Sequence, residues 1–233
     1  MRRPREPDLT AELVARVHRE VQREPVPDDW QPLTDADFDA LCDRLCAQVP
    51  DDGFWVFAYG SLIWKPDFEH IEAAVVHVHG YRRAFCMHMD SWRGTPDNPG
   101  LMLALTPGGS CRGVAYRMPP DDRRGRMMRL LRREIGYVED IALIRWCTAR
   151  FQDGLARRVL VFYCFAPGVE GHVLLPPDRQ AERLARAVGH AGSGAEYLRN
   201  TVIGLQSAGV HDRYLWRLQA AVASRIRADH GLD

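Results

Sequence analysis

The sequence predicts an α+β fold: a compact, barrel-like mixed sheet with flanking helices and an N-terminal helical extension. Three observations carry this. From Gly53 onward the chain breaks into short apolar or alternating runs, FWVFA, AAVVHVH, RRAFCMHM, LMLAL, GVAYRM, IALIRWC and RRVLVFYCF, which have the length and period of strands. A single helical run, about Asp121 to Ile135, interrupts them. A repeating strand-helix rhythm, which would build a doubly wound parallel sheet, is absent.

In chain order, Leu9 to Arg23 carries Leu13, Val14, Val17 and Val21 at helical spacing. Thr34 then caps a second run through Phe38, Leu41, Leu45 and Val49. Between them Pro25-Val26-Pro27-Asp28-Asp29-Trp30-Gln31-Pro32 cannot be helical, because its prolines fix φ and remove donors, and it reads as a hinge or strap. These elements form an extension over residues 1–52, and the strand-rich domain occupies 53–233. Its tail is helical again: a run from Asp178 to Val188, a break at Gly192-Ser193-Gly194, and two amphipathic helices through Leu205 and Ile226.

The 31 basic and 31 acidic side chains balance, so neither nucleic acid nor an anionic membrane is favoured as a partner, and a small molecule is the expected ligand. No apolar run approaches the roughly 20 residues that span a bilayer, and MRRPREPDLTAE lacks the apolar stretch of a signal peptide. The expected location is the cytoplasm. Six cysteines without C-x-x-C spacing read as buried thiols in a reducing compartment. His77 and His79 share one strand face, but no second cluster at zinc-type spacing accompanies them, so no metal site is expected. Met87, Met89, Met127 and Met128 read as core fillers, and the arginines from Arg123 to Arg133 as a solvated face.

Three constellations could carry chemistry. An apolar strand runs directly into Tyr59-Gly60-Ser61-Leu62, so the chain must turn at a core edge. There glycine permits positive φ and lets a ligand approach the backbone, whose successive N–H groups can hold an anion. In the helix RRGRMMRLLRREIGY, Glu134 lies seven residues after Met127 and falls on the apolar stripe of Met127, Leu130, Leu131 and Ile135. Positions three and four away are Leu130, Leu131, Tyr137 and Val138, none basic, so the usual intrahelical ion pair is not available. With Gly136 as a C′ residue, Glu134 stands at the negative helix end, where burial and dipole both disfavour its ionised form. Such a carboxyl suits proton transfer near neutrality, although pairing with a distant arginine stays open. Thirdly, Arg93-Gly94-Thr95-Pro96-Asp97-Asn98-Pro99-Gly100 is a stiff loop with an arginine at its base, placed either to fork a carboxylate or to face solvent.

Taken together, VFAYGSLIWKPDF, RGTPDNPGLMLAL, CRGVAYRMP, LLRREIGY and AGSGAEYL, in this order, resemble the ChaC-like γ-glutamylcyclotransferases that act on glutathione. The resemblance covers about Gly53 to Ile226. It departs at Ala58, where the family commonly has glycine, and in the stretch Asp90 to Trp92. It implies the small mixed barrel of γ-glutamylcyclotransferases, Glu134 as the catalytic residue, and a substrate-binding set of Val56, Phe57, Ala58, Tyr59, Gly60, Ser61 and Leu62 with Arg93 and Tyr197. It also implies that no metal and no cofactor is used. The implied reaction is attack of the γ-glutamyl α-amine on its own γ-carbonyl, giving 5-oxoproline and Cys-Gly. Two alternatives stay open: the same chemistry on other γ-glutamyl amines or amino acids, and a non-catalytic γ-glutamyl-binding module that regulates cation transport.

Overall fold

A computed structural model of the chain describes residues 6–23, 30–166 and 168–232. Its centre is a closed five-stranded barrel, built from β1 (Trp55–Ala58), β2 (Glu72–Met89), β3 (Gly100–Arg117), β4 (Arg145–Arg150) and β5 (Ala156–Val161), in the order β1-β3-β2-β4-β5. Neighbours are antiparallel except β1 and β5, which run parallel through Val56 and Leu160. The predicted mixed barrel is therefore the one observed.

Four of the seven strand-like runs merge into two long strands. The glycines that read as breaks, Gly80 and the pair Gly108-Gly109, have φ of +88°, +92° and +81°, and they form a bulge where the register of β2 and β3 slips between His79 and Tyr81. A bulge bends a strand without ending it. Beyond it, β3 bridges through Leu105 to Cys164, just after β5, and packs against α6 and α7.

The first helix, α1 (Ala11–Val17), is shorter than its apolar spacing predicts. Thr10 caps it, and His18 leaves it in extended conformation. Val21 still packs against the core from a non-helical segment, so burial is achieved without continuing the helix. Residues 25–29 of the predicted strap lie outside the described residues. Trp30 to Pro32 are extended, as their composition requires, and Pro32 bridges to Tyr137.

Helix α2 (Asp35–Cys46) starts in a full capping box, in which Asp37 and Thr34 exchange hydrogen bonds of 2.9 and 3.2 Å. Its stripe of Phe38, Leu41, Cys42 and Leu45 packs on the Met127, Leu130 and Leu131 stripe of a later helix. Two one-turn helices, α3 (Ser61–Trp64) and α5 (Val138–Ile141), flank that later helix, α4 (Arg123–Glu134). The arginines of α4 are not simply solvated. Arg124 pairs with Asp39 and Asp43 at 2.7 and 2.8 Å, Arg132 with Asp35 at 2.7 Å, and Arg126 with Glu69 at 2.9 Å. Exposed pairs of this kind are individually weak; those to Asp35, Asp39 and Asp43 join α4 to α2, and that to Glu69 joins α4 to the segment before β2. The tail forms α6 (Pro177–Arg186), α7 (Gly194–Ser207) and α8 (Arg213–Asp229), with a two-residue hairpin between the first two.

Strand alternation divides the core. Trp55, Phe57, Val76, Val78, Ala115, Val159 and Val161 fill the barrel, whereas Val56, Ala58, Val114, Tyr116 and Leu160 face outward beneath α2 and α4. Because α2 reaches this layer from its capped start, Thr34→Ala should lower stability by about 1 kcal/mol. For a domain of this size the melting midpoint should then fall by roughly 2–4 °C in a thermal scan, and an unchanged midpoint would mean the box contributes nothing.

Candidate active site

The end of β1, the loop after β2, the last turn of α4 and the first turns of α7 converge on a cavity of about 630 Å³. Its position follows from the period of β1. Phe57 and Tyr59 point into it, while Val56 and Ala58 point to the opposite face and pack in the layer under α4. Of the expected substrate-binding residues, the structure therefore brings Phe57, Tyr59, Gly60, Ser61, Leu62, Arg93 and Tyr197 together with Glu134 around one space, and does not bring Val56 and Ala58 there. Met87 and Met89 line the same cavity; Met127 is a core residue, as expected, and Met128 packs partly buried against the same core.

Gly60 is needed for a different reason from the one its sequence context suggests. Its φ is −141°, not positive. The space a side chain would need is instead taken by the Tyr197 hydroxyl, since a Cβ there would lie 2.6 Å from that oxygen. Tyr197 is buried, and burial pushes its phenol up to about 12, with Ser61's amide and hydroxyl opposing. Tyr59 is buried beside it and donates to the Phe162 carbonyl at 2.9 Å; burial holds its phenol well above the ordinary range. Both tyrosines thus remain neutral donors near neutrality.

Glu134 is the last residue of α4, its side chain only 12% exposed. Burial pushes its carboxyl up to about 7, against the opposing charge and hydrogen bond of Arg133. That arginine is a feature the helical spacing argument misses: it adjoins Glu134 in sequence, and its Nε lies 3.0 Å from the Glu134 carboxylate. The helix leaves through Ile135 in extended conformation, so Gly136 occupies C′ without a left-handed turn. Its amide and that of Tyr137 are instead held by the Asp140 carboxylate, at 3.0 and 3.1 Å. The main-chain carbonyl of Glu134 accepts a 2.5 Å hydrogen bond from Tyr163, a residue with φ of +54°. Tyr163 was hidden in an apolar run that reads as strand, and nothing in its spacing marks it.

Arg93 lies over the Tyr197 ring at 5.2 Å. Its Nη1 donates to the Ser193 carbonyl at 2.9 Å and pairs with Glu196 at 3.1 Å. The loop after β2 thereby docks on the start of α7, and Arg93 reaches the cavity already oriented. Among the described residues no group of three or more His, Cys, Asp or Glu side chains could hold a metal ion, and the His77–His79 pair stands alone with rings 6.1 Å apart. No helix among the described residues is long and apolar enough to cross a membrane.

Residues 54–225 match the family model of ChaC-like proteins. The chain is 34% identical over 169 residues to the glutathione-specific γ-glutamylcyclotransferase of Escherichia coli, covering 70% of this chain and 72% of that protein. It is 30% identical to γ-glutamylcyclotransferase 2-3 of Arabidopsis thaliana, covering 77% and 93%. Among solved structures, that of a γ-glutamyl cyclotransferase specific to glutathione from yeast superposes with a TM-score of 0.63 at 22% identity, over 74% of this chain and 96% of that one, a likeness of fold.

The electrostatics of Glu134 make a signed prediction about stability. A carboxyl whose folded-state pKa is raised favours the folded state when protonated. Its contribution is complete below the unfolded value near 4.5 and is lost as pH rises through about 7. Glu134→Gln mimics the protonated form throughout. Its stability relative to the parent should therefore climb between pH 4.5 and 7 by on the order of 3 kcal/mol and stay level outside that window. Denaturant titrations of both proteins at several pH values test this, and a parent that gains on the variant over the window would show Glu134 to be a stabilising ion-pair partner.

Proposed function

The chain belongs to the ChaC-like family, and from that premise we propose that it is a glutathione-specific γ-glutamylcyclotransferase with Glu134 as its proton-transfer residue. The observation that carries the residue assignment is a buried carboxyl, poised near pH 7, that faces the Tyr59-Gly60-Ser61-Leu62 turn across one cavity. The relatives from Escherichia coli and Arabidopsis support the activity.

The chemistry requires little beyond positioning and proton movement. The α-amine of the γ-glutamyl group attacks the γ-carbonyl, a C–N bond closes the five-membered lactam, and the amide C–N bond to cysteine breaks. Products are 5-oxoproline and Cys-Gly. Because nucleophile and electrophile belong to one molecule, holding them in contact supplies much of the rate. The amine must lose a proton and the departing nitrogen must gain one. An ionised Glu134 takes the first and returns it to the second, so one carboxyl serves as base and then acid. Tyr197, neutral near pH 7, and the amides of the turn are the donors available to the substrate α-carboxylate and to charge developing on the carbonyl oxygen, while Tyr59 spends its proton on the Phe162 carbonyl. The six cysteines, all unpaired, suit a reducing cytoplasm, which is where we place the reaction.

Three readouts test this reading. Purified protein with glutathione alone should yield 5-oxoproline and Cys-Gly in equal amounts. Glu134→Gln should lower kcat by roughly two to four orders of magnitude with a KM within several-fold. For the parent, kcat/KM should rise with pH through about 7, since the base acts ionised, and the variant should lack that limb. Comparable turnover by the folded variant would remove Glu134 from the mechanism. Binding of glutathione without products would favour a γ-glutamyl-binding module, and faster turnover of other γ-glutamyl amines would move the substrate.

A further inference from the structure

The cavity has a floor and a rim of different chemistry. The floor holds Glu134, Tyr59 and Tyr197, all largely buried. The rim holds two exposed tryptophans, Trp30 at 37% and Trp92 at 51% exposure, together with Arg23 and His190. Arg23 and Trp30 come from the segment preceding residue 54, where the family match begins.

That segment is built into the site by its backbone. Leu33 donates to the Gly136 carbonyl and Val138 to the Gln31 carbonyl, both at 2.9 Å, and Pro32 bridges Tyr137. The pairing begins two residues after Glu134 and seats the Trp30 ring edge-on against Tyr137, with centroids 4.8 Å apart. On the other side, Trp92 adopts φ of +54° and lies against His190 at 5.3 Å. Burial and then the charge of Arg23 hold that imidazole below its ordinary range, and both residues line the cavity. A bulky residue held at positive φ is costly, and such residues gather at ligand sites.

Charge separates Arg23 from the other lining arginines. Arg93 is paired with Glu196, Arg132 with Asp35 and Arg133 with Glu134. Among the described residues Arg23 has no carboxylate partner. If the γ-carbonyl meets Glu134 on the floor, the dipeptide leaving from it must run outward to the rim, where it presents a small apolar side chain and a terminal carboxylate.

On the glutathione reading above, we propose that Arg23 and Trp30 are specificity-determining residues that receive the dipeptide half of the substrate. Arg23 binds its terminal carboxylate, and Trp30 covers its cysteinyl part. The probes are glutathione and glutathione monoethyl ester, in which the glycine carboxylate is masked. The parent should show a KM for the ester roughly tenfold above that for glutathione, the size of one charge-assisted contact. Arg23→Gln should raise the glutathione KM by about that factor, leave the ester KM unchanged and leave kcat unchanged on both. Trp30→Ala should raise both KM values together, and Trp30→Phe should restore them; melting curves of each variant identify any that has lost its fold. A parent active on glutathione whose preference for the free acid survives in Arg23→Gln overturns the proposal. A parent that turns over neither compound overturns the glutathione reading, and this proposal with it.

Discussion

The parallel pairing of β1 with β5, through Val56 and Leu160, is the closure on which the arrangement depends. With β3 bound along its other edge, β1 has both edges occupied and every residue buried, so it cannot shift register or direction. The chain leaving such a strand has one exit, and here it is the turn at Tyr59 and Gly60. Strand alternation then settles which side chains reach the cavity. The same alternation gives α4 an apolar surface to lie on, and so brings the end of that helix to the mouth of the barrel.

What happens at that helix end is a contest between two electrostatic effects. Arg133 lies 3.0 Å from the Glu134 carboxylate and favours its charge; withdrawal from water opposes it, and withdrawal prevails. An exposed pair of this geometry would leave a glutamate acidic. A wholly unpaired one at this depth would be pushed further from neutrality. The partial compensation is what leaves the group able to hold or release a proton at the pH where the chemistry would run, and Arg133 is better seen as setting that balance than as competing with it.

Much of this was legible in the sequence, and the failures have identifiable causes. The barrel class follows from strand-length runs without alternating helices, and the inward face of Glu134 follows from its place on the Met127–Leu131 stripe. Gly80 and Gly108-Gly109 misled because a glycine that bends a strand and one that ends it look alike until pairing is known. Gly60 was singled out for a backbone angle it does not have, since its need for hydrogen in place of a side chain comes from Tyr197, over a hundred residues away. Arg133 and Tyr163 escaped for a similar reason. Helical spacing weighs positions three and four away, not the adjacent one, and a tyrosine in FYCF carries no mark of the carbonyl it will meet. The helix predicted to Arg23 ended early because Val21 could be buried without it.

Position 134 is held by its main chain and used by its side chain. The carbonyl is satisfied by Tyr163, the following amides by Asp140, and the flanking segment by the strand-like pairing of residues 31–33 with 136–138. None of these contacts asks what stands on the Cα. Architecture and chemistry are thus uncoupled at the one residue where both converge. Cellular quality control responds to the fraction of unfolded chain, so a lineage that lost this carboxylate would be expected to keep a full complement of well-folded, inert protein, and abundance alone would not betray the loss.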